Sequence, residues 1–123
     1  MEEFKYWVAL NNFQKFGPIR FKKLLKHFLP KDTSLENAFR AGIPDLIKAG
    51  IEENVAEEFV ATRREINPNQ LIANLGQEAI KIMTITDRFY PILLGEIYNP
   101  PPLLYYKGEF RNEATAGSNN FVG

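Results

Sequence analysis

The sequence predicts a mainly α protein, a compact helical unit followed by the first strand, helix and strand of an α/β layer. Three observations predict it. Glycine and proline recur as punctuation between short apolar-periodic runs over residues 1–66. After Asn67-Pro68 the pattern changes to the β-branched run IKIMTIT. Then NPPPLLYYKG sets three consecutive prolines, which cannot continue a helix, ahead of a tyrosine-rich extended run.

The elements follow in order. Phe4, Trp7, Val8 and Phe13, with Tyr6 and Leu10 four apart, occupy much of a helix circumference and predict a buried first helix over 2–13. Gly17-Pro18 interrupts it, and proline suits the first turn of a second helix through IRFKKLLKHF, which Pro30 ends. Thr33 followed by Glu36 has the spacing of a capping box for a short helix closed at Gly42. Pro44–Ala49 forms another short helix, stopped at Gly50. A fifth helix carries Val55, Ala56, Phe59, Val60 and Ile66 inward, with acidic residues in its first turn and Arg63 and Arg64 near its end, as the helix dipole favours. Asn67 caps and Pro68 starts a helix running to about Leu75. IKIMTIT is then a strand, Pro91–Tyr98 a short helix, and LLYYKG a second strand delivered by the proline corner. Residues 1–66 therefore make a helical unit, 67–110 the start of an α/β layer, and 111–123 a tail with little apolar periodicity.

Composition narrows the function classes. With 45% hydrophobic and 24% charged residues the chain is ordinary globular material. Its formal net charge is zero, so any attraction to nucleic acid has to come from local clustering. The absence of cysteine excludes disulfides, thiolate catalysis and cysteine-ligated zinc, and fits a reducing cytoplasm. Met-Glu-Glu-Phe-Lys lacks the basic start of a signal peptide, and no apolar run approaches the roughly 18 residues of a membrane span. The expectation is a soluble cytoplasmic chain without a membrane partner.

Local clustering does occur. Residues 15–31 hold six cations, Lys15, Arg20, Lys22, Lys23, Lys26 and Lys31, and no acid. In a helix-hairpin-helix turn, glycine lets backbone approach a phosphate and the amides opening the next helix donate to its oxygens. Gly17, Ile19, Arg20, Lys22, Lys23 and Lys26 are the candidate DNA-binding residues on this reading. Lys15 stands where such a hairpin usually has an earlier glycine. Two other readings stay open: a plain helix-to-helix turn with solvated lysines, and a protein-docking face. Gly50 begins a second turn of this kind, but Glu52, Glu53, Glu57 and Glu58 would repel phosphate, which favours a structural or protein-binding role. Trp7, Tyr105 and Tyr106 have the chemistry to stack on bases, yet a core explains their pattern equally well. His27 is the only histidine, so a metal site would need carboxylates as its remaining ligands. No metal, no cofactor and no catalytic residues are expected: the chain has no dinucleotide-type glycine loop, no nucleophile with an activating base and no carboxylate dyad set in a cleft.

The stretch DRFYPILLGEIYNPPPLLYYKG resembles the opening of the Rossmann-like domain in the DNA processing protein A family, also called DprA or Smf. The positions that carry the resemblance are Asp87, Tyr90, Pro91, Leu94, Ile97, Pro101, Pro102, Leu104, Tyr105, Lys107 and Gly108. Upstream, the glycine turn and helices are similar to that family's N-terminal module, which is sterile-alpha-motif-like or helix-hairpin-helix-like. The resemblance thus covers residues 1 to about 110. It implies a non-catalytic accessory protein of natural transformation and competence that binds and protects single-stranded DNA in the cytoplasm, helps load the recombinase RecA, and self-associates through the Rossmann-like domain. For the motif residues it implies a structural role. Where the family continues with a Gly-Ser/Thr-Arg turn, this chain has Gly117-Ser118-Asn119 and ends at Gly123. The sequence accordingly reads as an N-terminal fragment whose last residues, 111–123, are open to a native or a non-native origin. A protein-interaction module without direct DNA binding is the alternative, with the acidic 52–58 face of one copy meeting the basic 15–31 face of another.

Overall fold

The computed structural model describes residues 2–87, 90, 100–108 and 120–121. A 3-10 turn at Glu2–Phe4 leads into α1 (Lys5–Asn12), and α2 (Pro18–Phe28), α3 (Glu36–Phe39), α4 (Ile43–Lys48) and α5 (Glu53–Thr62) follow. A second 3-10 turn, Arg63–Glu65, joins α5 to α6 (Pro68–Gln77). The strands are β1 (Lys81–Thr84), β2 (Leu103–Lys107) and β3 (Asn120–Phe121). The molecule is mainly α with a small antiparallel sheet. The helix expected over Pro91–Tyr98 lies outside the described residues.

Proline and glycine set the helix bounds much as expected, with two local differences. Pro18, Pro44 and Pro68 each stand in a first turn, where a missing amide costs nothing. Asn67 accepts from the Gln70 amide at 3.1 Å and caps α6. The Thr33 capping box does not form. Instead Asp32 accepts from the Ser34 amide and hydroxyl and from the Asn37 amide, at 3.1, 2.6 and 2.8 Å, while Ser34 Oγ accepts from the Glu36 amide at 3.2 Å. This arrangement serves the amides around α3 and leaves Thr33 to offer its carbonyl to Trp7 Nε1 at 3.1 Å. The second difference is Gly42, which opens α4 instead of closing α3.

The core is aromatic at its centre. Phe59 is fully buried and meets Phe13, Phe16 and Phe39 at ring separations of 5.3, 4.8 and 6.0 Å, while Trp7 lies 5.9 Å from Phe21. Helices α1, α2, α3 and α5 thereby close around one another. The same apolar cluster continues into the sheet through Ile82 and Leu103.

Strands β1 and β2 run antiparallel, with Ile82 opposite Tyr105 and Thr84 opposite Leu103. Alternation places Ile82, Leu103 and Tyr105 on one face, which turns toward the helices, and Asn11 Nδ2 of α1 donates to Tyr105 Oη at 3.2 Å. Burial raises the Tyr105 phenol's pKa, with the Asn11 bond opposing it. Within the tail expected to be irregular, Asn120 and Phe121 extend the sheet, pairing with Lys107 and Tyr106. At the proline corner the rings supply no donors, yet its carbonyls find partners: Ile85 N donates to Pro102 O at 2.9 Å, and the buried Tyr90 hydroxyl donates to Pro101 O.

Candidate nucleic-acid interface

The glycine turn begins with Gly17 at φ −72° and ψ −174°, extended backbone open to any residue, and a Cβ there would meet nothing within 4 Å. Ile19 beside it is 58% exposed. Gly17, Pro18, Ile19 and Arg20 line a shallow groove of about 280 Å³, completed by Lys23 and Glu52.

The six cations do not act alike. Arg20 forks onto Glu52, with Nε to Oε1 at 3.2 Å and Nη2 to Oε2 at 2.5 Å, and its Nη1 donates to the Lys15 carbonyl at 3.0 Å. These hydrogen bonds hold the Glu52 carboxyl at about 2, well below its usual range, and raise the Arg20 guanidinium. Lys15 pairs with Glu58 at 2.6 Å. Lys23 lies along Gly50 and donates to its carbonyl at 3.3 Å. The acidic turn of α5 thus engages part of the basic face within one chain. Lys22, Lys26 and Lys31 are exposed and, among the described residues, have no ion-pair partner.

Gly50 has the backbone that needs glycine. At φ +104° it ends α4 in a Schellman turn, with Ile51 N donating to Leu46 O at 3.0 Å and Gly50 N to Ile47 O at 2.9 Å. Buried Ile51 and Leu46 supply the apolar contact that accompanies this turn.

The two stretches that stood out in the sequence come together in space. Pro18, Lys22 and Leu25 of α2 face Ile85, Pro100 and Pro102 across a narrow apolar groove of about 110 Å³. Of the family-motif residues, Asp87 sits in the turn after β1, its amide donating to Thr84 O at 2.9 Å and its carbonyl accepting from Tyr90 N at 3.0 Å. Tyr90 is buried, Pro101 and Pro102 form the corner, Leu104 and Tyr105 lie in β2, and Gly108 follows with φ +91°. Pro91, Leu94 and Ile97 lie outside the described residues. Trp7 is in the core, where a base cannot reach it, and His27 is exposed, edge-on to Phe28 at 4.7 Å.

Two features were missed from sequence. One is the intrachain pairing of α5 carboxylates with Lys15 and Arg20, for which no local signal exists. The other is a separate cationic cavity beside α1 and α6, whose cations are scattered from Lys5 to Arg64.

Comparison with known proteins bears on this arrangement as a whole. No family model matches the chain, and no solved structure matches it significantly. Protein Smf of Synechocystis sp. (strain ATCC 27184 / PCC 6803 / Kazusa) is 34% identical over 119 residues, which is 96% of this chain. Over this span the chain is a homologue of that protein. It covers 29% of that relative's length. The Smf similarity extends over nearly all of the chain, so it includes both α2 and most or all of the proline-corner motif. No helix among the described residues is long and apolar enough to cross a membrane.

Proposed function

We propose that the chain is the helical region, with the first sheet elements, of a non-catalytic DNA-processing accessory protein. Its full-length form binds and protects single-stranded DNA in the cytoplasm during natural transformation and hands it to RecA. The observation that carries this reading is the similarity to Protein Smf over 96% of the chain. Within the chain, the DNA contact is the α2 face. Lys22, Lys26 and Lys31 give charge without an ion-pair partner among the described residues, and the Gly17 turn leaves space for a phosphate beside the amides that open α2, with the nearby Glu52 carboxylate neutralised by Arg20. Arg20 and Lys23 are secondary, because Glu52 and the Gly50 carbonyl already occupy them.

Fluorescence anisotropy with a labelled single-stranded oligonucleotide tests the reading. Lys22→Glu/Lys26→Glu should abolish salt-sensitive binding while leaving far-UV circular dichroism unchanged. Equal binding by the variant would remove α2 from the interface.

A protein-docking reading is favoured by one observation, the exposure of Ile19. On that reading Ile19→Asp would abolish self-association or partner capture in sedimentation and leave DNA binding intact. Head-to-tail association through the acidic and basic faces is weakened as a proposal, because Arg20 and Lys15 already meet Glu52 and Glu58 within the chain.

A further inference from the structure

A cavity of about 500 Å³ opens where α1, the end of α3, the 3-10 turn after α5 and the start of α6 meet. Among the described residues four cations line it, Lys5, Arg40, Arg63 and Arg64, and no carboxylate does. Its volume falls in the range that holds small organic ligands.

The cations are placed in different ways. Arg63 is partly buried, its Nη1 donating to Phe39 O at 2.8 Å and Ala41 O at 2.6 Å, with its guanidinium 5.7 Å from the Phe59 ring centroid. It has no carboxylate partner among the described residues, and its remaining N–H groups find no protein acceptor there. Burial, and next the charge of Arg40, lower its pKa, as expected where like charges gather and no carboxylate is among the described lining residues. Arg64 is exposed and unpaired among the described residues. At the rim, Arg40 and Lys5 flank the Tyr6 ring at 5.8 and 5.4 Å and are tethered to half-buried Glu36 and exposed Glu2.

Solvated surface cations would explain exposed Arg64 alone. They do not explain a guanidinium fixed by two carbonyls with donors left over, in a concavity whose other wall is Val60, Ile66 and Pro68. An anion joined to a flat, weakly polar group fits both walls.

We propose that this cavity binds a nucleotide unit, its phosphate on Arg63 and Arg64 with Arg40 and Lys5 at the rim, and its base against the apolar wall. The ligand is either a free nucleotide or one unit of a single strand, since both present the same phosphate and base. The site uses none of the α2 residues and does not rest on their role.

Titration calorimetry of the whole chain with thymidine monophosphate, thymidine, inorganic phosphate and a short oligothymidylate tests it. Binding of the monophosphate or the oligomer, and not of thymidine, is expected. Arg64→Glu should weaken that binding about tenfold or more, the scale of one charge-assisted contact, and Arg64→Lys should restore part of it. Monophosphate binding as tight as the oligomer's would assign a free nucleotide, and binding of the oligomer alone would assign a strand. Lys22→Glu/Lys26→Glu should leave monophosphate binding intact, which separates this site from the α2 face. The inference fails if neither nucleotide probe binds, if Arg64→Glu binds them as the parent chain does, or if inorganic phosphate binds as tightly as the monophosphate.

Discussion

Leu35 and Ala79 hold left-handed backbone without glycine's freedom, at φ 63° and 57°. Ala79 is exposed and ends α6, where Ile80 N donates to Leu75 O at 2.9 Å, and glycine is the usual residue at such a position. Ala79→Gly should therefore raise stability by roughly 0.5–1 kcal/mol, read as a higher urea midpoint. Leu35→Gly should act the other way. Relief of about 1 kcal/mol of backbone strain cannot offset the roughly 2–5 kcal/mol lost when a fully buried leucine is truncated. Acid sensitivity also belongs to single residues. Glu52 is held at about 2 against an ordinary 4.5, chiefly by the Arg20 hydrogen bonds. For Asp32, burial raises the pKa, but the hydrogen bonds from Ser34 and from the amides opening α3 outweigh it and leave the pKa lowered. A carboxyl with a depressed folded-state pKa contributes stability above its unfolded value and loses that contribution as pH falls through its folded value. For Glu52 the loss runs from about 4.5 down to about 2. Urea midpoints across that window should fall less steeply in Glu52→Gln than in the parent chain.

The helices show what local sequence can and cannot specify. Proline at a first turn and glycine past an end are local instructions, so α2, α4 and α6 were legible from Pro18, Pro44, Gly50 and Pro68. The cap of α3 was not, because Asp32, Thr33 and Ser34 all carry capping chemistry, and the contact of Trp7 with the Thr33 carbonyl helps decide among them. The two hairpin-like glycines looked alike in sequence and differ in backbone. Gly50→Ala should cost about 1–2 kcal/mol, since φ +104° is strained for alanine and its Cβ would lie 3.2 Å from Lys23 Cδ. Gly17→Ala should change stability by less than about 0.5 kcal/mol, because its backbone is extended and the space around it is open. Thermal melts of both variants check the contrast. The strands β1 and β2 were legible from β-branched and aromatic content, whereas the pairing of Asn120 and Phe121 with β2 depends on contacts that no local pattern encodes.

At the scale of the molecule, one apolar cluster joins the helices to the sheet, through Ile82 and Leu103 and across the Asn11–Tyr105 hydrogen bond. Ile82→Ala should lower the urea midpoint of Trp7 fluorescence by the equivalent of about 2–5 kcal/mol, although Trp7 lies in α1. An unchanged Trp7 transition would mean that the two parts unfold separately. The candidate DNA face was legible only as a count of cations, since charge in a sequence does not reveal which lysines already have partners. Folding divides the six, engaging Lys15, Arg20 and Lys23 and leaving Lys22, Lys26 and Lys31 outward. The salt dependence of single-stranded DNA binding tests that division. If these three lysines each neutralise a phosphate, log affinity should fall with log salt at a slope of roughly −2, from about 0.7 per contact. Lys22→Glu/Lys26→Glu should remove this dependence along with the binding, while Lys15→Gln/Arg20→Gln should keep the parent slope. The reverse pattern, or a parent slope retained in Lys22→Glu/Lys26→Glu, would contradict the account.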